Sequence, residues 1–129
     1  MEIPNDLRYT KTHEWVKVVG AEVVVGITAH AQEELRDVVY VELPPPGKAL
    51  KAAEPSAVVE SVKAAFDIYA PVAGTVSRVN AALQNTPQLV NKDCYDTGWF
   101  FAITPANPND VNALMTAGDY TKLIEAAAH

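Results

Sequence analysis

Lys63 is the residue of this chain best placed to do chemistry with its own side chain. It lies in Glu60-Ser61-Val62-Lys63-Ala64-Ala65, a short break between two extended runs. Ser56-Ala57-Val58-Val59 before it is apolar and β-branched. Asp67-Ile68-Tyr69-Ala70-Pro71 after it is extended again and closes at Pro71-Val72-Ala73-Gly74. Two such runs around a short break read as a β-hairpin with the lysine at its tip. The small neighbours Ala64 and Ala65 leave the amine open to a large partner. Taken alone, a loop lysine is a solvated surface charge; the pattern around this one points further. Other chemistry is missing from the sequence: no Ser–His–acid arrangement, phosphate loop or Cys-x-x-Cys pair appears. His13, His30 and His129 fall in unrelated contexts, so no metal site is expected. His129 reads as frayed tail, Cys94 as a loop or semi-buried thiol rather than a nucleophile, and Trp15 and Trp99 as core or rim packing.

The elements that must position Lys63 follow from the hydrophobic pattern. Leu7-Arg8-Tyr9 and Glu14 to Val19 read as short strands. Gly20-Ala21 turns the chain, and Glu22 to Ile27 returns as a hairpin partner. Thr28 is then a plausible N-cap, with Ala31 and Leu35 an i, i+4 apolar pair, which predicts a helix over 29–35. Val38 to Leu43 alternates and predicts a half-buried strand with Val39, Val41 and Leu43 on one face. Pro44-Pro45-Pro46-Gly47 reads as a rigid turn rather than a polyproline ligand. Gly74 to Val79 predicts another strand, with Val76 and Arg78 sharing a face. The segments around Gly47 and Gly74 look like halves of a weak repeat, which predicts two small antiparallel sheets packed face to face. Residues 80–96 read as loop around a helical turn at Ala81-Ala82-Leu83, and Trp99 to Thr104 as a final strand. Asn107-Pro108-Asn109-Asp110 starts a helix with Val111, Leu114 and Met115 as its apolar stripe. Gly118 is expected to stop it, and a second helix from Asp119-Tyr120 to Ala128 to turn Tyr120, Leu123 and Ile124 inward.

Bulk composition narrows the class. The 129 residues suit one domain with a modest core. About half are hydrophobic, which excludes a disordered tail. A formal charge of −6 would repel nucleic-acid phosphates and favours basic docking patches on partner proteins. The single Cys94 allows no internal disulfide and fits a reducing compartment. No apolar run is long enough to span a bilayer, so no membrane partner is expected. Met1 to Asp6 carries neither secretory nor transit character. A bacterial cytoplasmic location is expected, and a mitochondrial matrix one only if a transit peptide had been removed.

Glu60-Ser-Val-Lys-Ala64, followed by Asp67-Ile-Tyr-Ala-Pro-Val-Ala-Gly74, resembles the lipoylation site of the H-protein family of the glycine cleavage system. Gly47 precedes the lysine by 16 residues and Gly74 follows it by 11, a frame that lipoyl and biotinyl carrier domains share. Biotinyl domains resemble Met-Lys-Met at the tip, and lipoyl domains of 2-oxo acid dehydrogenases resemble Asp-Lys-Ala. Here the tip is Val62-Lys63-Ala64. Gly26-Ile-Thr28 with His30-Ala-Gln32 is similar to the H-protein family too, and the likeness runs along nearly the whole chain.

The resemblance implies an all-β fold, a lipoyl-domain-like barrel-sandwich hybrid of two small antiparallel sheets. Short peripheral helices and a C-terminal helical segment at about 109–128 would complete a single domain spanning 1–129. It implies a non-catalytic carrier with lipoate joined by an amide to Lys63, and with Glu60, Ser61, Val62 and Ala64 read by the lipoate-attaching enzymes. The chemistry would belong to the cofactor. A pyridoxal-phosphate glycine decarboxylase would load aminomethyl, a tetrahydrofolate-dependent aminomethyltransferase would remove it, and dihydrolipoamide dehydrogenase would reoxidise the dithiol. The residues that match Thr12, Glu14 and Asp67 would shelter the loaded arm, the two carboxylates pairing with its ammonium at a partly exposed site. Two positions depart from the family pattern. Arg36 stands where glycine is usual, which is strained if that residue has positive φ. Ala102 stands where lysine is frequent, which puts a partner contact there in doubt. A lipoate relay for other complexes would use the same lysine. A biotinyl carrier is disfavoured by Val62 and Ala64.

Overall fold

The computed structural model describes residues 2–127 and consists of two antiparallel sheets with short helices around them. Six strands form the larger sheet: β1 (Arg8–Tyr9), β2 (Glu14–Val19), β3 (Glu22–Ile27), β5 (Ala49–Leu50), β8 (Gly74–Val79) and β9 (Phe101–Pro105), in the order β1-β2-β3-β9-β8-β5. The smaller sheet is β4 (Val38–Glu42), β6 (Pro55–Ser61) and β7 (Ala65–Tyr69), in the order β4-β6-β7. The two sheets face each other and do not close into a barrel.

The main core lies between them. Val16, Val23, Val25, Ile27, Phe101 and Ile103 point inward from the larger sheet and meet Val38, Val41, Ala57, Val59 and Ile68 from the smaller. The other face of the larger sheet is covered as well. Val24, Trp15 and Ala102 pack there against Tyr9, Ala117 and Tyr120. β3 therefore buries both faces, which is why Val23-Val24-Val25 reads as an unbroken apolar run. Ala102 is fully buried in this second layer, so no partner reaches its side chain. Gly26 lies opposite Trp15 in the β2–β3 pair, and a Cβ there would sit 2.5 Å from the indole. The glycine makes room for the ring, whose Nε1 donates to the Cys94 carbonyl at 2.8 Å.

The helix α1 (Ala29–Leu35) starts as the sequence predicts, with the Thr28 hydroxyl accepting from the Ala31 amide and with Ala31 and Leu35 buried. The Pro44–Gly47 segment is a turn: the Gly47 amide donates to the Val76 carbonyl at 2.8 Å, and Gly47 takes a φ of 89°. Several sequence expectations need correction. In β4 the buried residues are Val38 and Val41, while Val39 is 51% exposed, because the β4–β6 ladder shifts register between Val38 and Tyr40. A second shift between Val76 and Arg78 separates those two as well. Val76 stays in the core and Arg78 turns out to bond Glu22 at 2.9 Å. Residues 80–96 carry two short helices rather than one, α2 (Ala82–Asn85) and α3 (Leu89–Lys92). The segment capped by Asn107 is a 3₁₀ helix, Pro108–Ala113. Gly118 does not stop it: Gly118 lies in the first turn of α4 (Ala117–Ala127). There Thr116 and Asp119 exchange side-chain-to-amide bonds as a capping pair that outweighs the glycine. Tyr120 is buried, and Leu123 and Ile124 pack inward as expected. Ala128 and His129 lie outside the described residues.

Arg36 has a φ of 67° and a ψ of −136°, a conformation suited to glycine. The turn is held from outside. Asn91 donates to the Arg36 carbonyl at 2.5 Å and to Gln32 at 2.8 Å, and accepts from the Val38 amide at 2.8 Å. We expect Arg36→Gly to stabilise the fold by about 1 kcal/mol. The check is denaturant unfolding, in which the midpoint should rise with no change in slope. A midpoint that stays or falls would contradict the strain.

Candidate functional site

Lys63 occupies a corner of the turn that joins β6 to β7. The Ser61 amide donates to the Ala64 carbonyl at 2.8 Å. The Ser61 hydroxyl accepts from the Lys63 amide at 3.2 Å and from the Ala64 amide at 3.0 Å. One serine thus ties the tip together, a local role that favours Ser in turns. Val62 is 87% exposed and Lys63 is exposed beside it. Glu60 and Ala64 are half-buried at the base of the turn. Among the described residues Lys63 enters no ion pair.

From this tip β7 runs back along a cleft of about 380 Å³, inside the range of small-ligand pockets. The cleft is lined by Lys11 to Glu14 from the β1–β2 connection and the start of β2, by Ala31, Glu34 and Leu35 of α1, and by Phe66 to Tyr69 of β7. The structure therefore brings Thr12, Glu14 and Asp67 to one cavity. Thr12 and Asp67 are exposed. Glu14 is not: only 1% of it meets solvent, so the partly exposed site expected from sequence is corrected to a buried one. Trp15 and Val16 follow it into the sheet and draw the strand inward.

The buried carboxyl is held by neutral donors. Thr10 and Thr12 hydroxyls donate to Glu14 Oε1 at 2.5 and 2.6 Å, and the Tyr69 amide donates to Oε2 at 3.3 Å. Thr10 Oγ1 also accepts from the Glu14 amide at 3.1 Å. Burial nevertheless dominates and pushes the Glu14 carboxyl above the usual glutamate range, with the Thr10, Thr12 and Tyr69 bonds working against it. The arrangement suits a cation entering the cleft, since an ammonium would supply the opposite charge that the hydroxyls lack.

His13 and His30 are not in unrelated contexts. Their rings lie 4.6 Å apart at the cleft's α1 side. His13 Nδ1 bonds the Tyr120 hydroxyl at 2.7 Å, and His30 Nε2 meets Glu34 Oε1 at 2.6 Å. No sequence spacing joins residue 13 to residue 30; only the hairpin between them does. Cys94 is buried, and burial pushes its thiol up to about 12, which makes it inert as a nucleophile.

Comparison with known proteins places this geometry. The family model for the glycine cleavage H-protein matches residues 7–127. The chain belongs to that family. Curated relatives named glycine cleavage system H protein include one from Thermus thermophilus, 53% identical over 99% of this chain and all of the relative. Another, from Thiobacillus denitrificans, is 52% identical over the full length of both. The crystal structure of a glycine cleavage system H protein from Mycobacterium marinum superposes with a TM-score of 0.87 at 37% identity, covering 95% of this chain and 99% of that one. In this family member Lys63, Glu14 and Asp67 stand on or beside a single strand and cleft.

Because the folded state raises the Glu14 pKa, it binds that proton more tightly than the unfolded chain does. The resulting stability is fully present below the ordinary glutamate pKa and is lost as pH rises through the raised value. In carbon-detected titration the Glu14 carboxyl should titrate above the usual glutamate range. Thr10→Val with Thr12→Val should raise it further, since both hydroxyl bonds lower it. A midpoint at or below the ordinary range would show that the cleft does not desolvate this group.

Proposed function

We propose that this chain is the lipoyl carrier of a bacterial, cytoplasmic glycine cleavage system. It would be a non-catalytic component that moves the aminomethyl group of glycine between a decarboxylase, a tetrahydrofolate-dependent aminomethyltransferase and dihydrolipoamide dehydrogenase. Family membership and the bacterial relatives support the system. One observation carries the role: an exposed, unpaired lysine at the corner of a tight hairpin, with one strand of that hairpin leading into an acid-lined cleft. The turn fits amide attachment, because the Ser61 bonds fix its backbone while leaving the amine clear. Glu60, Ser61, Val62 and Ala64 present the surface that lipoate-attaching enzymes read. Lipoate, once joined to Lys63, supplies a dithiolane that is reduced, loaded and reoxidised.

The chain's own residues then do three things. Lys63 anchors. Glu14 receives the cationic amine of the cargo, and the pairing favours its ionised form. Asp67 and Thr12, at the mouth, add a second carboxylate and a hydroxyl. Asp67 is exposed, so its contribution is on the order of 1 kcal/mol or less. The buried Glu14 contributes the larger share, since water screens it least.

Two variants test the assignment. Lys63→Arg should leave the fold intact and abolish glycine cleavage in a reconstituted system; lipoate found on that variant by peptide mapping would overturn the anchor. Glu14→Gln with Asp67→Asn should leave lipoylation and dithiol reoxidation intact. It should shorten the lifetime of the glycine-loaded protein after the decarboxylase is removed, followed as formaldehyde release, and the part of the difference owed to exposed Asp67 should be larger at low salt. Equal lifetimes would mean that neither acid shelters the loaded arm.

A further inference from the structure

We propose that His13, His30 and Glu34 hold one divalent first-row transition cation, of the zinc class, at the rim of the cleft. One ligating atom from each lies within 4.8 Å of the others. Two come from one helix face: His30 and Glu34 are i and i+4 on α1, already 2.6 Å apart. That spacing is the one by which a helix offers two ligands to the same ion. The third comes from a separate element, the turn before β2, where His13 adopts a φ of 71° that sets its ring over that of His30. Strain of this kind persists only where the surroundings impose it.

The His13 ring is also oriented from behind. Its Nδ1 is engaged by the Tyr120 hydroxyl at 2.7 Å, and that hydroxyl is in turn bonded to Thr28 at 2.7 Å. In the tautomer whose Nδ1–H donates to the Tyr120 oxygen, Nε2 keeps its lone pair to give, as in ligating histidines generally. Two imidazoles and one carboxylate select borderline transition ions over magnesium or calcium. Three protein ligands leave an open position, as zinc accepts. His13 is half-buried, and His30 and Glu34 are 22% and 53% exposed at their side chains, so an ion can enter from solvent.

The inference does not rest on the carrier role, and its test does not use activity. Zinc is titrated into the full chain in a His129→Ala background, which removes the remaining histidine, and heat and histidine ring proton signals are followed. The expected result is saturation at one ion per chain, with the ring signals of His13 and His30 moving together. His30→Ala and Glu34→Gln, both at solvent-reachable positions of α1, should weaken binding on the order of tenfold or more. A second check is amide spectra showing that both variants keep the parent fold. No saturable binding, or binding that both variants leave unchanged, would overturn the site.

Discussion

A carboxyl group removed from water must find compensation, and in this protein Glu14 finds only neutral compensation. Two threonine hydroxyls and one backbone amide bond to it, and among the described residues no cation forms an ion pair with it. Such a group is poorly served as a permanent anion, because burial penalises the charge more than neutral donors repay. The sheet keeps it there all the same. Trp15 and Val16, the next two residues of β2, are locked into opposite layers of the core and fix where the strand begins. The result is a standing preference for positive charge at one point of the surface, made by packing rather than by a bound ion.

The rest of the fold can be understood as what holds that point opposite the lysine hairpin. The cleft needs three walls from distant parts of the chain: the β1–β2 connection, α1 and β7. The first two are joined through α4. Tyr120 stacks on Tyr9 with ring centroids 4.8 Å apart, and its hydroxyl ties Thr28, the cap of α1, to His13 beside Glu14. The segment before α4 pairs with the edge strand as well, through mutual bonds between Tyr9 and Met115 at 2.9 Å. This covers an edge that would otherwise be open to other chains. The third wall is itself the arm of the hairpin that carries Lys63. Lys63 and one wall of the cleft thus belong to one hairpin, and their separation along it is set by the length of β7.

How much of this was legible in the sequence depends on whether the cause was local. The β2–β3 hairpin and α1 match their predicted bounds because period and capping are properties of adjacent residues. The lysine tip is local too, being one turn with its serine. Arg36 announced its positive φ only through the resemblance to a family that usually has glycine there. The failures share another origin. The register shifts at Val38/Tyr40 and Val76/Arg78 are set by the partner strand and leave no trace in the alternation. Gly118 looked like a stop, but the Thr116–Asp119 cap starts a helix across it. The depth of Glu14 and the meeting of His13 with His30 are tertiary facts, created when the β2–β3 hairpin returns the chain beside its own start.

The central claim is that Glu14 waits for a cation that arrives on the Lys63 arm. The most direct measurement is the carboxyl titration of Glu14 in lipoylated protein before and after loading with glycine, with the decarboxylase removed. Pairing with an ammonium favours the ionised carboxyl, so the account predicts that the Glu14 midpoint falls on loading. An unchanged Glu14 midpoint in the loaded protein would contradict it.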